Sequence, residues 1–142
     1  MGLERYIKAQ EDSFETALNE IKNGKKESCW MWYIFPQIEG LGLSDLSVYY
    51  AIRNLDEAKE YLADPVLGKR LLEISTAVAE LPETNATKIF GSPDDLKLHS
   101  CMTLFHCADP DEKVFQIVLD KYFDGKLDEK TLQIIEGVGN GI

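Results

Sequence analysis

The chain has 142 residues, 44% hydrophobic and 28% charged, and its 15 basic against 25 acidic side chains leave a net charge of −10. Such a composition describes one globular domain with a full core, and excludes a disordered chain or a small scaffold that folds only with disulfides or metal. The acidic balance repels phosphate backbones, and the basic clusters Lys25-Lys26 and Lys69-Arg70 are short, so nucleic acid is not an expected partner.

Taken in order, the N-terminal MGLERY has no apolar signal core, and Tyr6 stands where a myristoylation motif wants Ser or Thr. Cys29, Cys101 and Cys107 are odd in number and irregularly spaced, which points to reduced thiols and a cytoplasmic location. Leu3, Tyr6 and Ile7 begin a helical face, and Phe14, Ala17, Leu18 and Ile21 continue one. Asp12 with Glu15 fits an N-cap and capping-box acid, which predicts two helices with a bend near Asp12, the second ending at Asn23-Gly24.

Trp30-Met31-Trp32-Tyr33-Ile34-Phe35-Pro36-Gln37 follows, apolar or aromatic except for its last residue and holding both tryptophans of the chain. It is far shorter than the roughly 20 residues that span a membrane, so it is expected as a short buried helix ended by Pro36. Residues 38 to 46 read as a loop, and Val48 to Ile52 as either a strand or helix. Asp56 is the expected cap of a helix through Leu62. Asp64-Pro65 starts the clearest helix, with Val66 or Leu67, Leu71, Ile74, Val78 and Leu81 on its face. Residues 82 to 86 read as a loop and Lys88 to Gly91 as a connector. Ser92-Pro93-Asp94-Asp95 predicts a cap and a helix to about Cys107, and Asp109-Pro110-Asp111-Glu112 opens a helix ended by Gly125. Asp128 caps a last short helix, and 137–142 reads as a frayed tail.

The helix from Pro93 carries the most chemistry. At about 100° per residue its apolar side holds Leu98, Cys101, Met102, Leu104 and Phe105, with Asp95, His99, Thr103 and His106 opposite. Lys97 falls in the middle of the apolar side, where a lysine must snorkel, pair with an acid or meet a ligand. It also lies in a first helical turn, where free backbone N–H groups favour an anion. His99 and His106 are two turns apart, too far for the usual i, i+4 metal pair, so no metal or other cofactor is expected. Nothing near Cys29 or Cys101 marks a thiolate nucleophile. The glycines at 40–42 and 137–141 lack the strand and helix that a dinucleotide fingerprint requires. Bulky aromatics such as Trp30 to Phe35 are ordinarily core, and their functional version is a stacking wall for a planar ligand with Gln37 as a polar handle.

Several segments together resemble one family: 24–37 (GKKESCWMWYIFPQ), Gly40-Leu41-Gly42, Tyr50-Ala51-Ile52, Asp64 to Gly68 with Arg70-Leu71, Ile89-Phe90-Gly91, and Asp95 and Lys97 with Ser100 and Met102 to Phe105. Their order and spacing resemble an uncharacterised bacterial family, domain of unknown function 1810. The resemblance implies a compact all-helical domain and no established reaction. Some members are labelled "calpastatin", a disordered inhibitor, which does not fit a chain with a full core. Trp30, Trp32, Phe35, Pro36, Gln37, Asp95, Lys97, Ser100 and Thr103 match the family pattern; Cys29 stands where the family often has His, and Cys101 where it often has a second Ser.

The expectation is an all-α single domain over 1–142, a compact bundle of roughly seven short helices, with Trp30–Gln37 buried against the helix from Pro93. The functional expectation is a pocket between these two elements for a small anionic, planar ligand such as a nucleotide. Trp32 and Tyr50 would form its wall, Gln37 its orienting amide, and Lys97 and Ser100, beside Asp95, its anion contact. A non-catalytic protein-interaction module is the alternative, with the aromatic stretch as plain core. The two are told apart by whether Gln37, Lys97 and Ser100 converge on one cavity.

Overall fold

The computed structural model describes residues 2–139. Among them the chain forms helices α1 (Glu4–Lys22), α2 (Met31–Ile34), α3 (Asp45–Tyr49), α4 (Leu55–Ala63), α5 (Leu67–Glu80), α6 (Ala86–Phe90), α7 (Asp94–Ala108), α8 (Lys113–Phe123) and α9 (Glu129–Gly139). The β pairing among these residues is one isolated parallel bridge, Ile38 to Ile52. The domain is therefore all-α, as its periodicities predict. None of the described helices is long and apolar enough to cross a membrane.

The expected helix boundaries fail at specific places. The bend near Asp12 does not form, and α1 is one continuous helix. Tyr6, Gln10, Phe14, Ala17, Leu18 and Ile21 make a single buried stripe through that point, and no Gly or Pro interrupts it. The helices outnumber the expected seven because α3 and α6 are single turns, each started by a local cap. Ser44 Oγ accepts from Ser47 N–H, and Asn85 Oδ1 from Thr87 N–H. Helix α4 is capped by Asn54, which accepts from Glu57 N–H, and Asp56 lies in its first turn. The expected frayed tail meets helix as far as Gly139; residues 140–142 lie outside the described residues.

Helix α7 is the centre of the bundle and packs against α4, α6, α8 and α9, while α1 packs on α2 and α5. The run Leu98 and Ser100 to Phe105 is buried all round. Thr103, expected on an exposed polar side, is fully buried because the turn before α9 covers that side; its Oγ1 donates to His99 O and accepts from Asp128 N–H. Helices α4 and α5 meet closely at Gly68, where a Cβ would lie 2.2 Å from Leu62 O, so only glycine fits there.

The aromatic segment forms the one-turn helix α2. Trp30, Met31, Ile34 and Phe35 are buried, with Trp30 packed on Phe35 and Phe35 edge-on to Phe90. It packs on α1 more than on the helix from Pro93, a correction to the expected arrangement. The loop leading into it is held by one carboxylate. Glu20 Oε1 accepts from Glu27 N–H (2.7 Å), Ser28 N–H (2.9 Å) and Trp30 Nε1 (2.9 Å), and Oε2 from Ser28 Oγ (2.6 Å). Burial pushes this carboxyl up, but the hydrogen bonds from Ser28, Glu27 and Trp30 outweigh it and hold it down from 4.5 to about 2.

A depressed carboxyl stabilises the fold above its unfolded value and loses that contribution as pH falls. Glu20 therefore contributes fully above pH 4.5 and progressively less down to about pH 2, by at most about 3 kcal/mol. Urea unfolding across that window should show Glu20→Gln less stable than the parent at neutral pH, the gap narrowing with acid. A gap independent of pH contradicts this role.

Candidate functional site

The Glu20-held loop docks on α6, where Lys26 N–H donates to Ile89 O at 2.7 Å, and so brings Lys26 to the start of α7. Its Nζ lies 5.1 Å from the Trp30 ring centroid and 2.9 Å from Asp94 Oδ2. Lys97 Nζ reaches the other oxygen of the same carboxylate, 3.4 Å from Asp94 Oδ1, and lies 4.9 Å from the Trp32 ring centroid. The side chains of Lys26, Asp94 and Lys97 are only 10%, 20% and 20% exposed. Two lysines with largely buried side chains thus share one carboxylate, each against a tryptophan, and the trio carries one surplus positive charge. Cations over indole rings are attracted by the ring quadrupole, which fixes both lysines in place.

Of the sequence-derived residues, Lys97 and Trp32 come together here. Gln37 is half-buried at the end of the aromatic segment; its backbone O accepts from Ile52 N–H, and its side-chain amide has no hydrogen-bond partner among the described residues. Tyr50 joins a separate cluster, its ring 6.0 Å from Tyr6, 5.2 Å from Tyr33 and 4.8 Å from Tyr49. Asp95 turns away, accepting from Thr87 Oγ1 at 2.6 Å and from Leu96 N–H. Ser100 Oγ lies 3.2 Å from both Leu96 O and Asp128 Oδ2, and Asp128 Oδ2 also accepts from Thr131 N–H and Thr131 Oγ1. Ser100 thus helps to bind α9 to α7.

Three of the expected site residues, Gln37, Lys97 and Ser100, line none of the clefts between α1 and α5, beside Thr76 and Glu80, and around Arg5 and Tyr49. The expected helix-end contribution also fails. Asp95 N–H donates to Gly91 O, Leu96 N–H to Pro93 O, and Lys97 N–H to Pro93 O, while Ser92 provides no cap. Lys26 and Asp94 are the members of this candidate site that sequence reading did not name, since only the fold brings Lys26 to α7. The basic pair ahead of the aromatic run was the available signal.

The remaining reactive residues have other employment. His99 stacks on Phe123, with ring centroids 4.2 Å apart and planes at 9°, and its Nε2 is 2.7 Å from Lys126 O. It is thus not simply solvent-facing, and the Nδ1 of His106 is buried without a partner among the described residues. No group of three His, Cys, Asp or Glu among the described residues is placed to hold a metal ion. Burial raises the Cys101 and Cys107 thiols, the opposite of what a nucleophile needs.

Removing the Ser100 hydroxyl should therefore act on stability. Ser100→Ala is expected to cost about 1 kcal/mol in urea unfolding and to leave any ligand affinity unchanged. Loss of ligand affinity at full stability would return Ser100 to the site.

A search of the curated proteins found no match. Among solved structures, the chain is similar to the conserved hypothetical protein Rv1873 from Mycobacterium tuberculosis, at 40% identity and a TM-score of 0.93, covering 94% of this chain and 96% of that one. The family model described as a protein of unknown function, DUF1810, matches residues 1–135. A match over nearly the whole chain, on a fold shared with a relative at that identity, makes this chain a member of the DUF1810 family.

Proposed function

We propose that the chain is a small-molecule-binding domain that takes the anionic group, phosphate or carboxylate, of a small ligand at Lys26 and Lys97. The observation that carries this reading is the shared carboxylate: two lysines whose side chains are 10% and 20% exposed both pair with Asp94, their one ionic partner among the described residues. A surplus charge held away from water is unfavourable until an anion neutralises it, and a bound anion there is screened less than on open surface. Lys97 already covers one face of Trp32, so the ligand is held by its charge and not by stacking on that face. A phosphate-bearing compound such as a nucleotide fits through its phosphate. With a net charge of −10 over the chain, a small anion is favoured over a nucleic acid, and a cytoplasmic site would supply such ligands.

A second reading, a protein-interaction module, is favoured by a different surface. Leu43, Leu46, Val48 and Tyr49 are 93%, 46%, 56% and 43% exposed, and α3 contains no buried residue. Apolar groups clustered in this way commonly mark contact surfaces.

Because the only two tryptophans lie under the two lysines, intrinsic fluorescence reports this site directly. Titration with inorganic phosphate and with adenosine monophosphate should give a saturable change that weakens at least about tenfold in Lys97→Met, a loss of about 1.4 kcal/mol. Lys26→Met should act in the same direction. Absence of a saturable response in the parent, or an unchanged response in both variants, overturns the proposal and leaves the interaction surface as the better reading.

A further inference from the structure

Away from the lysine pair, a cleft of about 370 Å³ lies between α1 and α5. Arg70 and Phe14 form part of its wall, and its other charged lining residues are Glu11, Glu15 and Glu73 with one further cation, Lys69. The arginine is held in one orientation from behind. Gln10 is 1% exposed, and its Nε2 donates to Tyr33 O (2.7 Å) and to Tyr61 OH (2.9 Å). Both amide hydrogens are thereby used, which turns Oε1 toward the cleft, where it accepts from an Arg70 terminal nitrogen at 3.4 Å. The guanidinium carbon lies 5.5 Å from the Phe14 ring centroid. A buried amide and an aromatic ring thus contact the guanidinium from the protein side.

Among the described residues the guanidinium has no ionic partner. None of the ion pairs among the described residues uses Arg70, although three glutamates line the same cleft. Its remaining N–H donors form the planar fork that matches a carboxylate bidentately. The three glutamates outnumber Lys69 and Arg70, leave the cleft net negative, and so decide what accompanies that carboxylate. They repel a ligand with surplus negative charge, and they favour one that brings a cation within reach of the carboxylate. The volume is at the lower end of small-molecule sites, roughly 300–1,000 Å³.

We propose that this cleft binds the zwitterionic head of an amino acid, its carboxylate on Arg70, its ammonium among Glu11, Glu15 and Glu73, and its side chain toward Phe14. A free amino acid and a short peptide offer the same two charges. They differ in the separation of those charges, because a dipeptide places its ammonium one residue away from its carboxylate. This site shares no residue with the lysine pair, so Lys97→Met leaves it intact.

The test is a thermal-shift and calorimetric comparison of the whole protein with the free L-amino acids, their N-acetyl and amide derivatives, glycyl dipeptides, acetate and inorganic phosphate, each at millimolar concentration. At least one amino acid or dipeptide should bind, with affinity lost on acetylation or amidation, and the pattern between the two series identifies the source. Arg70→Lys keeps the charge and removes the fork, and is expected to bind at least about tenfold more weakly. Glu11→Gln, Glu15→Gln and Glu73→Gln together should improve acetate relative to the amino acid. These positions are exposed or half-exposed, and the melting temperature without ligand checks that each variant folds. Binding of no zwitterion, binding unaltered in Arg70→Lys, or an Arg70-dependent preference for phosphate overturns the proposal.

Discussion

The acceptance of four hydrogen bonds by the Glu20 carboxylate is the interaction on which the aromatic end of this domain depends. The chain between α1 and α2 has no helix of its own. Gly24, at φ 84°, ends α1 in a left-handed turn, and the next residues have few apolar side chains to anchor them. Glu20 supplies the anchor from the last turn of α1, bonding two backbone N–H groups, a serine hydroxyl and the Trp30 indole. That single residue fixes both ends of the arrangement: Trp30 beneath Lys26, and Lys26 within reach of Asp94. Packing alone would bury the indole ring without setting the direction of its N–H.

The polar residues along α7 divide by position on the helix. Near the N-terminus, Asp94 and Lys97 face the aromatic segment and the Lys26 loop. One turn later Ser100 and Thr103 face α9, where Asp128 both caps that helix and ties it to α7. A second polar hub stands at the other end of α1. Arg5, 9% exposed, donates to the carbonyls of Gly2, Tyr49 and Ala51 and pairs with Glu57, closing the chain end after α3 onto α1. Buried polar groups that are fully engaged in this way specify one arrangement of short helices, which apolar packing by itself would leave underdetermined. The surplus charge at Lys26 and Lys97 stands out against those satisfied hubs.

Much of the fold was legible because its signals are local. The Asp64-Pro65 start of α5 works as read, Asp64 Oδ1 accepting from the N–H groups of Val66 and Leu67, and the apolar positions of α5 and α8 carry the core. Lys97 was conspicuous for a local reason too, a cation at an apolar helical position. What escaped sequence reading depends on distant partners. Thr103 looks polar and exposed until α9 arrives to cover it. Ser100 looks like a ligand contact until Asp128, 28 residues away, takes its hydroxyl. Lys26 and Lys97 are 71 positions apart in the sequence, and nothing in the spacing of either announces that they share Asp94.

The central claim is that Lys26 and Lys97 hold a charge that an external anion completes. Proton–nitrogen NMR of the lysine ammonium groups, recorded at low temperature to slow proton exchange, measures this directly. With inorganic phosphate added stepwise at constant ionic strength, these two ammonium signals are expected to move together and saturate while those of exposed lysines stay in place. Ammonium shifts that are small, unsaturable and alike for every lysine would contradict it.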